Sequence, residues 1–113
     1  TEGLLNELMT NLIRSAVEYN KAGGDVWVET KKERNRSIIV VRDNGIGIPE
    51  EDKARIFERF YRVSKSRSRE LGGTGLGLAI VKHIASLYGG SVRVCSELGK
   101  GTSFYVIFPE ETE

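Results

Sequence analysis

The sequence predicts a two-layer α/β sandwich in which three helices cover one face of a mainly antiparallel mixed sheet. Three observations support this fold class: stretches with helical periodicity, short alternating or β-branched stretches typical of strands, and glycine pairs between them. The elements follow the order helix, two strands, helix, long loop, helix, two strands. Because 113 residues suffice for one hydrophobic core and not for two, residues 1–113 are expected to form one domain.

The first element is predicted to be an amphipathic helix that ends near Asn20, where the pair Gly23-Gly24 stops it. Its apolar residues recur every four positions and so lie on one face: Leu4, Leu8, Leu12 and Ala16. The helix begins almost directly at Thr1, so we expect the chain to be a piece of a longer protein.

A hairpin of two strands is predicted next. Val26, Val28 and Thr30 alternate with other residues as in a half-buried strand. The polar stretch 33–36 is typical of a turn, and the β-branched run 38–41 is typical of a central strand.

The second helix is predicted from Glu50 to Phe60, because Pro49 precedes it and acidic residues occupy its first turn. A polar segment rich in serine and arginine follows from Arg62 to Gly73. A loop of this length is more often functional than incidental.

The third helix is predicted from Gly77 to Tyr88, with Gly89-Gly90 closing it. A second hairpin then completes the fold, with a turn over residues 97–101. Its alternating apolar residues are Val92 and Val94 on one strand and Phe104, Val106 and Phe108 on the other.

Composition excludes several classes of protein. Seventeen basic residues against sixteen acidic ones leave a net charge of +1, so nothing global attracts nucleic acid or an anionic membrane. Cys95 is the only cysteine, which excludes an internal disulfide and a cysteine-rich metal site. No apolar run approaches the ~20 residues that span a bilayer. We therefore expect a soluble domain in the cytoplasm that makes no direct membrane contact, whether or not its parent protein is anchored.

The sharpest glycine cluster follows the predicted central strand, where Asp43 is succeeded by Gly45 and Gly47. A carboxylate at a strand end can accept a hydrogen bond from the exocyclic amine of adenine, whereas guanine presents a carbonyl oxygen there. A tight turn without any ligand is the alternative interpretation.

Two other glycine clusters differ in what they predict. Residues 72–78 lie where the long loop becomes a helix, so free amides and the helix dipole indicate an anion site. This cluster is neither a Walker loop nor a Rossmann motif, since it lacks Gly-Lys-Ser/Thr and no strand precedes it. Residues 99–102 are interpreted as a hairpin turn without a function of its own.

Four segments, taken in order, resemble the nucleotide-site boxes of bacterial sensor histidine kinases, which belong to the ATPase superfamily shared with DNA gyrase and heat-shock chaperones. The segments are residues 43–49, 56–62, 73–78 and 99–102. This resemblance covers nearly the whole chain and implies an α/β sandwich with a mobile ATP lid. It also implies that a first strand and an acceptor-histidine domain lie outside residues 1–113.

The resemblance implies ATP and Mg²⁺ as ligands and assigns roles to particular residues. Asp43 would bind the adenine amine, Thr102 would approach the base through water, and Tyr19 would lie against its ring. Arg62 would reach the terminal phosphate as the catalytic arginine. The implied nucleotide-binding residues are Asn11, Tyr19, Asp43, Gly45, Gly47, Ile48, Gly73, Thr74, Gly75, Leu76, Gly77, Leu78 and Thr102.

The first helix departs from the family pattern at two positions. Asn11 is kept, but Ser15 stands where an asparagine normally contacts Mg²⁺, and Glu18 stands where a lysine normally faces the phosphates. All three lie on one helical face by their spacing and are the candidate metal residues. Glu18 would repel the triphosphate, bind Mg²⁺ directly as a hard oxygen ligand, or point to solvent.

The expected function is that of a protein-histidine kinase catalytic half, which donates the γ-phosphate to a histidine on a separate dimerisation and acceptor domain and so serves a response regulator indirectly. His83 is the only histidine and lies within the third predicted helix, so it is not expected to be the phosphoacceptor. The isolated domain should be a monomer that cannot autophosphorylate.

Three alternative functions stay open at this point. The altered first helix would suit a non-catalytic ATP-sensing or partner-binding module. A serine kinase of the anti-sigma type is disfavoured by the phenylalanine box with Arg62. A topoisomerase or chaperone ATPase is disfavoured because Asn11 stands where those proteins use a glutamate.

Overall fold

The computed structural model describes residues 2–18, 20, 23–59, 61 and 77–109. These residues form a layer of helices against a four-stranded sheet, as the sequence predicts. The helices are α1 (Glu2–Glu18), α2 (Glu50–Lys53) and α3 (Gly77–Leu87), and the strands are β1 (Val26–Glu33), β2 (Arg36–Asp43), β3 (Ser91–Glu97) and β4 (Gly101–Pro109).

The sheet consists of two hairpins that meet along their second strands. Its order is β1-β2-β4-β3, and each of the three described pairings is antiparallel. Asp43 at the end of β2 is the register partner of Thr102 near the start of β4. Thr102 is in turn the partner of Ser96 on β3, so the ends of three strands meet at one edge of the sheet.

The hydrophobic core lies between α1, α3 and one face of the sheet. Strand alternation supplies Val41 from β2 together with Phe104 and Val106 from β4, each 0–1% exposed. The Phe57 ring meets the Phe104 ring edge-on at a centroid distance of 6.4 Å. The segment that follows α2 is thereby attached to the centre of the sheet.

The two long helices bury the faces that their periodicity predicts. Leu8, Leu12 and Ala16 of α1 are 0–1% exposed. The buried residues of α3 are Leu78, Val81, Ile84 and Ala85. Within the part of the chain that the structure describes, no helix combines the length and the apolar character needed to cross a bilayer.

The second helix is much shorter than predicted. Helix α2 spans Glu50–Lys53, and residues 54–59 follow as turns in which Arg55 and Glu58 donate backbone hydrogen bonds three residues back. The prediction of a helix to Phe60 is therefore wrong over the described residues. No residue of α2 is buried, and helices in proteins are stabilised mainly by packing of an apolar face. The apolar residues come later, at Ile56 and Phe57.

Candidate functional site

The site is built around Asp43, whose side chain is only 3% exposed at the end of β2. One carboxylate oxygen, Oδ1, accepts a hydrogen bond from the Gly45 N–H at 2.8 Å. The other, Oδ2, is the buried side-chain atom without a hydrogen-bond partner among the described residues. An unsatisfied buried acceptor costs about 1–3 kcal/mol, so this oxygen is suited to a ligand that brings a donor.

Burial also changes the acidity of this carboxyl group. Removal from water raises the pKa of Asp43 above its ordinary value, and the N–H groups of Gly45 and Thr102 partly oppose the shift. The ionised form is therefore held at an energetic cost. A donor placed against Oδ2 would lower that cost.

The loop after Asp43 requires glycine at position 47. Gly47 has φ +83°, and a Cβ there would clash with the Glu97 carbonyl oxygen and lie 2.9 Å from the Leu98 Cα. The Gly99 N–H donates to the Ile46 carbonyl at 2.9 Å. The third glycine cluster is thus a hairpin turn, as predicted, and it also supports the loop that carries Gly45 and Gly47.

A row of polar side chains crosses the sheet at this edge. Asp43, Thr102 and Ser96 are successive register partners on β2, β4 and β3. Thr102 is 2% exposed, and its Oγ1 lies 2.9 Å from Ser96 Oγ. Sequence reasoning missed Ser96, although a signal was present. Ser96 follows Val92 and Val94 at two-residue spacing, so its side chain lies on the same, more buried face of β3.

Two predicted nucleotide-site residues have apolar side chains that belong to the core. Ile48 is 1% exposed and Leu78 is 6% exposed, and both lie in the central cluster. The Ile48 backbone remains close to the polar row, because its N–H donates to Ser96 Oγ at 2.7 Å. These residues position the loop and α3 through packing.

A second part of the site lies where α1 meets the beginning of α3. A Cβ on Gly77 would lie 3.4 Å from Asn11 Oδ1 and 3.6 Å from Ser15 Oγ. The Asn11 amide nitrogen donates a hydrogen bond to the Glu7 carbonyl at 2.8 Å. The amide oxygen of the same side chain therefore faces Gly77. Ser15 is only 4% exposed. The structure therefore brings together Asn11, Ser15 and the positive end of an 11-residue helix.

Several predicted residues fall outside the described part of the chain. These are Tyr19, Arg62, Gly73, Thr74, Gly75 and Leu76, together with the lid predicted from Arg62 to Gly73. Glu18, the third candidate metal residue, is the last residue of α1. Its half-buried position follows Ser15 by one helical turn.

Tyr61, which immediately precedes Arg62, is held by a small polar cluster. Its hydroxyl donates a short hydrogen bond to Asp52, and the Arg55 guanidinium lies 4.6 Å from the centre of its ring. Arg55 also forms an ion pair with Glu58 at 3.1 Å. The hydrogen bond to Asp52 raises the pKa of Tyr61. These contacts fix the position of Tyr61.

The side chains that α1 directs toward Gly77 offer oxygen atoms, from Asn11 and Ser15. Within the described ranges, no group of three or more histidine, cysteine, aspartate or glutamate side chains is placed to hold a metal ion. The oxygen of Asn11 fits Mg²⁺, which prefers oxygen ligands and usually keeps several waters and substrate phosphates.

Comparison with known proteins decides the family. The family model described as histidine kinase-, DNA gyrase B- and HSP90-like ATPase matches residues 1–112. The chain belongs to this ATPase family. This ATPase domain is 49% identical over 109 residues to the sensor-like histidine kinase SenX3 of Mycolicibacterium smegmatis, covering 96% of the chain and 28% of that protein. It is 48% identical over 102 residues to the signal transduction histidine-protein kinase ArlS of Staphylococcus aureus, covering 90% of the chain and 23% of that protein.

Solved structures give the same result. A structure of the mycobacterial sensor histidine kinase MprB matches with a TM-score of 0.85 and 30% identity, over 100% of this chain and 76% of that one. A crystal structure of full-length ShkA in complex with AMPPNP matches with a TM-score of 0.82 and 34% identity, over 99% of this chain and 22% of that one. The ATPase domain is thus a nucleotide-binding domain of the histidine kinase type. It spans about a quarter of the length of the curated relatives it matches.

Proposed function

We propose that this ATPase domain binds ATP together with Mg²⁺ and donates the γ-phosphate to a histidine on a separate dimerisation and acceptor domain. The observation that carries the proposal is the buried Asp43 Oδ2, which has no hydrogen-bond partner among the residues that the structure describes. The exocyclic amine of adenine supplies such a donor. Guanine would place a carbonyl oxygen against the carboxylate instead, leaving two acceptors face to face.

The phosphates would lie at the other part of the site, at the beginning of α3. The free amides and dipole of that helix attract anionic oxygens. Asn11 would hold Mg²⁺ through its side-chain oxygen, with Ser15 and Glu18 beside it on the same helical face. The Mg²⁺ would supply positive charge that offsets the negative charge of the phosphates. Arg62 would stabilise charge on the terminal phosphate.

An apolar cleft supports the presence of a partner domain. The cleft measures about 960 Å³ and lies between α1, the turns after α2 and the outer side of α3. Ile80, His83 and Leu87 line it from α3, and Leu87 is 58% exposed. We propose that the acceptor domain packs into this cleft. His83 would then contact the partner without being the phosphoacceptor.

A non-catalytic ATP-sensing module is the second candidate, and the burial of Ser15 favours it. A serine hydroxyl that is 4% exposed is shorter than the expected asparagine side chain and is held between the two long helices. Metal binding on this face would then depend more on Asn11 and Glu18. Nucleotide affinity could persist while phosphate transfer is slow.

Two measurements separate these functions. Calorimetric titration of ATP, ADP and GTP, with and without Mg²⁺, tests nucleotide binding by the domain alone; we expect about 10- to 100-fold weaker binding of GTP. Mixing the domain with radiolabelled ATP and a dimer of the parent kinase's acceptor domain tests transfer. Labelled phosphohistidine supports the kinase. Tight ATP binding without transfer supports the sensing module, and an acid-stable product on serine would overturn both.

A further inference from the structure

Ser96 makes three hydrogen bonds to other described residues, and the donor and acceptor of each can be assigned from valence alone. The Ile48 N–H can only donate, so Ser96 Oγ accepts at 2.7 Å. The Gly101 carbonyl can only accept, so the Ser96 hydroxyl donates its single hydrogen there at 3.0 Å. The third bond joins Ser96 Oγ to Thr102 Oγ1 at 2.9 Å. Because Ser96 has no second hydrogen, Thr102 must be the donor in that bond.

This assignment determines what Thr102 offers to a ligand. With its only hydroxyl hydrogen directed at Ser96, Thr102 Oγ1 has only acceptor lone pairs left. Thr102 is the register partner of Asp43, and directly opposed side chains have Cβ atoms roughly 4.5–5.5 Å apart. Within the described part of the chain, Asp43 Oδ2 is likewise an acceptor that no donor contacts. Two neighbouring side chains therefore present acceptors alone.

We propose that Ser96 is a positioning residue for base recognition, because it directs the hydrogen of the Thr102 hydroxyl away from the base. Asp43 and Thr102 then offer only hydrogen-bond acceptors, so the site favours a base that presents a hydrogen-bond donor. A base with an amine, or a water held by that amine, is matched by both side chains. A base with a carbonyl at the same position meets acceptors on both. The inference rests on the proposed adenine site and adds a residue that never touches the nucleotide.

A purely structural role for Ser96 predicts a different result. Ser96 also ties the Ile48 backbone to β3, so its loss leaves that N–H without a partner and loosens the loop that carries Gly45 and Gly47. Loosening of the loop alone would lower the affinity for every nucleotide by a similar factor. A directional role changes the ratio between nucleotides, because the released Thr102 hydroxyl can rotate and donate.

The test compares ATP with inosine triphosphate, which carries a carbonyl oxygen where adenine has its amine. Dissociation constants are measured by calorimetry for the unmodified domain and for Ser96→Ala. We expect the preference for ATP to fall by about three- to tenfold in Ser96→Ala. In a Thr102→Val background the same substitution should leave the ratio unchanged, since no hydroxyl remains to be released.

The outcomes distinguish this inference from the function on which it rests. If the unmodified domain binds inosine triphosphate as tightly as ATP, the proposed adenine site is wrong. If it prefers ATP and Ser96→Ala weakens both nucleotides equally, the adenine site stands and the role of Ser96 is overturned. Thermal melting checks that each variant is folded. Should Ser96→Ala not fold, Ser96→Cys has nearly the same size with a weaker donor and acceptor, and an unchanged ratio there would equally overturn the proposal.

Discussion

Asn11 and Gly77 face each other where α1 meets α3: the Asn11 side-chain oxygen lies 3.4 Å from the point where a Cβ on Gly77 would be. The glycine thus leaves open the space between the polar face of α1 and the first turn of α3. Gly77 is the first residue of α3 and does not have a positive φ, so its backbone conformation does not require glycine. A phosphate or a hydrated Mg²⁺ is the kind of group that would use the space.

Gly77→Ala should therefore weaken ATP binding without destabilising the fold. The added methyl makes an ordinary contact with Asn11 at the first residue of α3, so the free energy of unfolding should change by less than about 0.5 kcal/mol. ATP affinity should fall by about tenfold. Gly3→Ala in α1, where a Cβ meets nothing within 4 Å, is the matched control. Equal affinities for the two variants would remove Gly77 from the phosphate site.

Asp43→Asn should weaken ATP binding and leave the fold intact. The amide can keep one oxygen for the Gly45 N–H, but it brings a donor or a weaker acceptor to the position of Oδ2. We expect a loss of about 10- to 100-fold in ATP affinity by calorimetry. Circular dichroism and thermal melting serve as the folding check. Unchanged affinity for ATP would place the adenine elsewhere.

Stability of the nucleotide-free domain should depend on pH through the same residue. Burial raises the folded-state pKa of Asp43 above its ordinary value of 3.8, so the fold favours the protonated form. The stabilisation that protonation supplies is complete below the unfolded-state pKa and is lost as pH rises through the folded-state pKa. Urea unfolding across acidic pH should show the unmodified domain losing stability relative to Asp43→Asn in that window. A difference that does not vary with pH would contradict this.

Ser15→Asn combined with Glu18→Lys should increase Mg²⁺-dependent ATP affinity, by about tenfold, if the two natural substitutions are costly. The pair restores an amide oxygen for the metal and replaces a charge that repels phosphate. Ser15 is 4% exposed, and its Oγ lies 3.6 Å from the point where a Cβ on Gly77 would be. Titration with and without Mg²⁺ measures the effect, and Ser15→Ala, which supplies no amide oxygen and keeps the Glu18 charge, is the control. No change would mean that other residues compensate.

Phe104→Ala should destabilise the domain by about 3–5 kcal/mol, because the ring is 1% exposed at the centre of the core and meets Phe57 edge-on. Removing it opens a cavity and releases the segment that leads to Tyr61. Leu98→Ala is the control: its side chain is 62% exposed in a hairpin turn, and its cost should stay within about 0.5 kcal/mol. Urea unfolding of both variants gives the comparison.

The fold was largely predictable because its signals are local. The four-residue period of α1 and the alternation along β4 report burial directly, and the structure agrees at Leu8 and Phe104. The second helix was not predictable in the same way. Acidic residues after a proline favour a helix start, but the length of that helix depends on packing, and its exposed face ends it after one turn.

The sequence by itself determined the two-layer fold, the position of Asp43 at a strand end and the glycines around it, since these follow from periodicity, β-propensity and glycine's access to positive φ. Only the tertiary structure decided how the polar groups pair. Ser96, Thr102 and Asp43 are neighbours because the register of three strands makes them so. The direction in which the Thr102 hydroxyl donates depends on Ser96 and on the partners of Ser96, and one of these, Ile48, is distant in sequence.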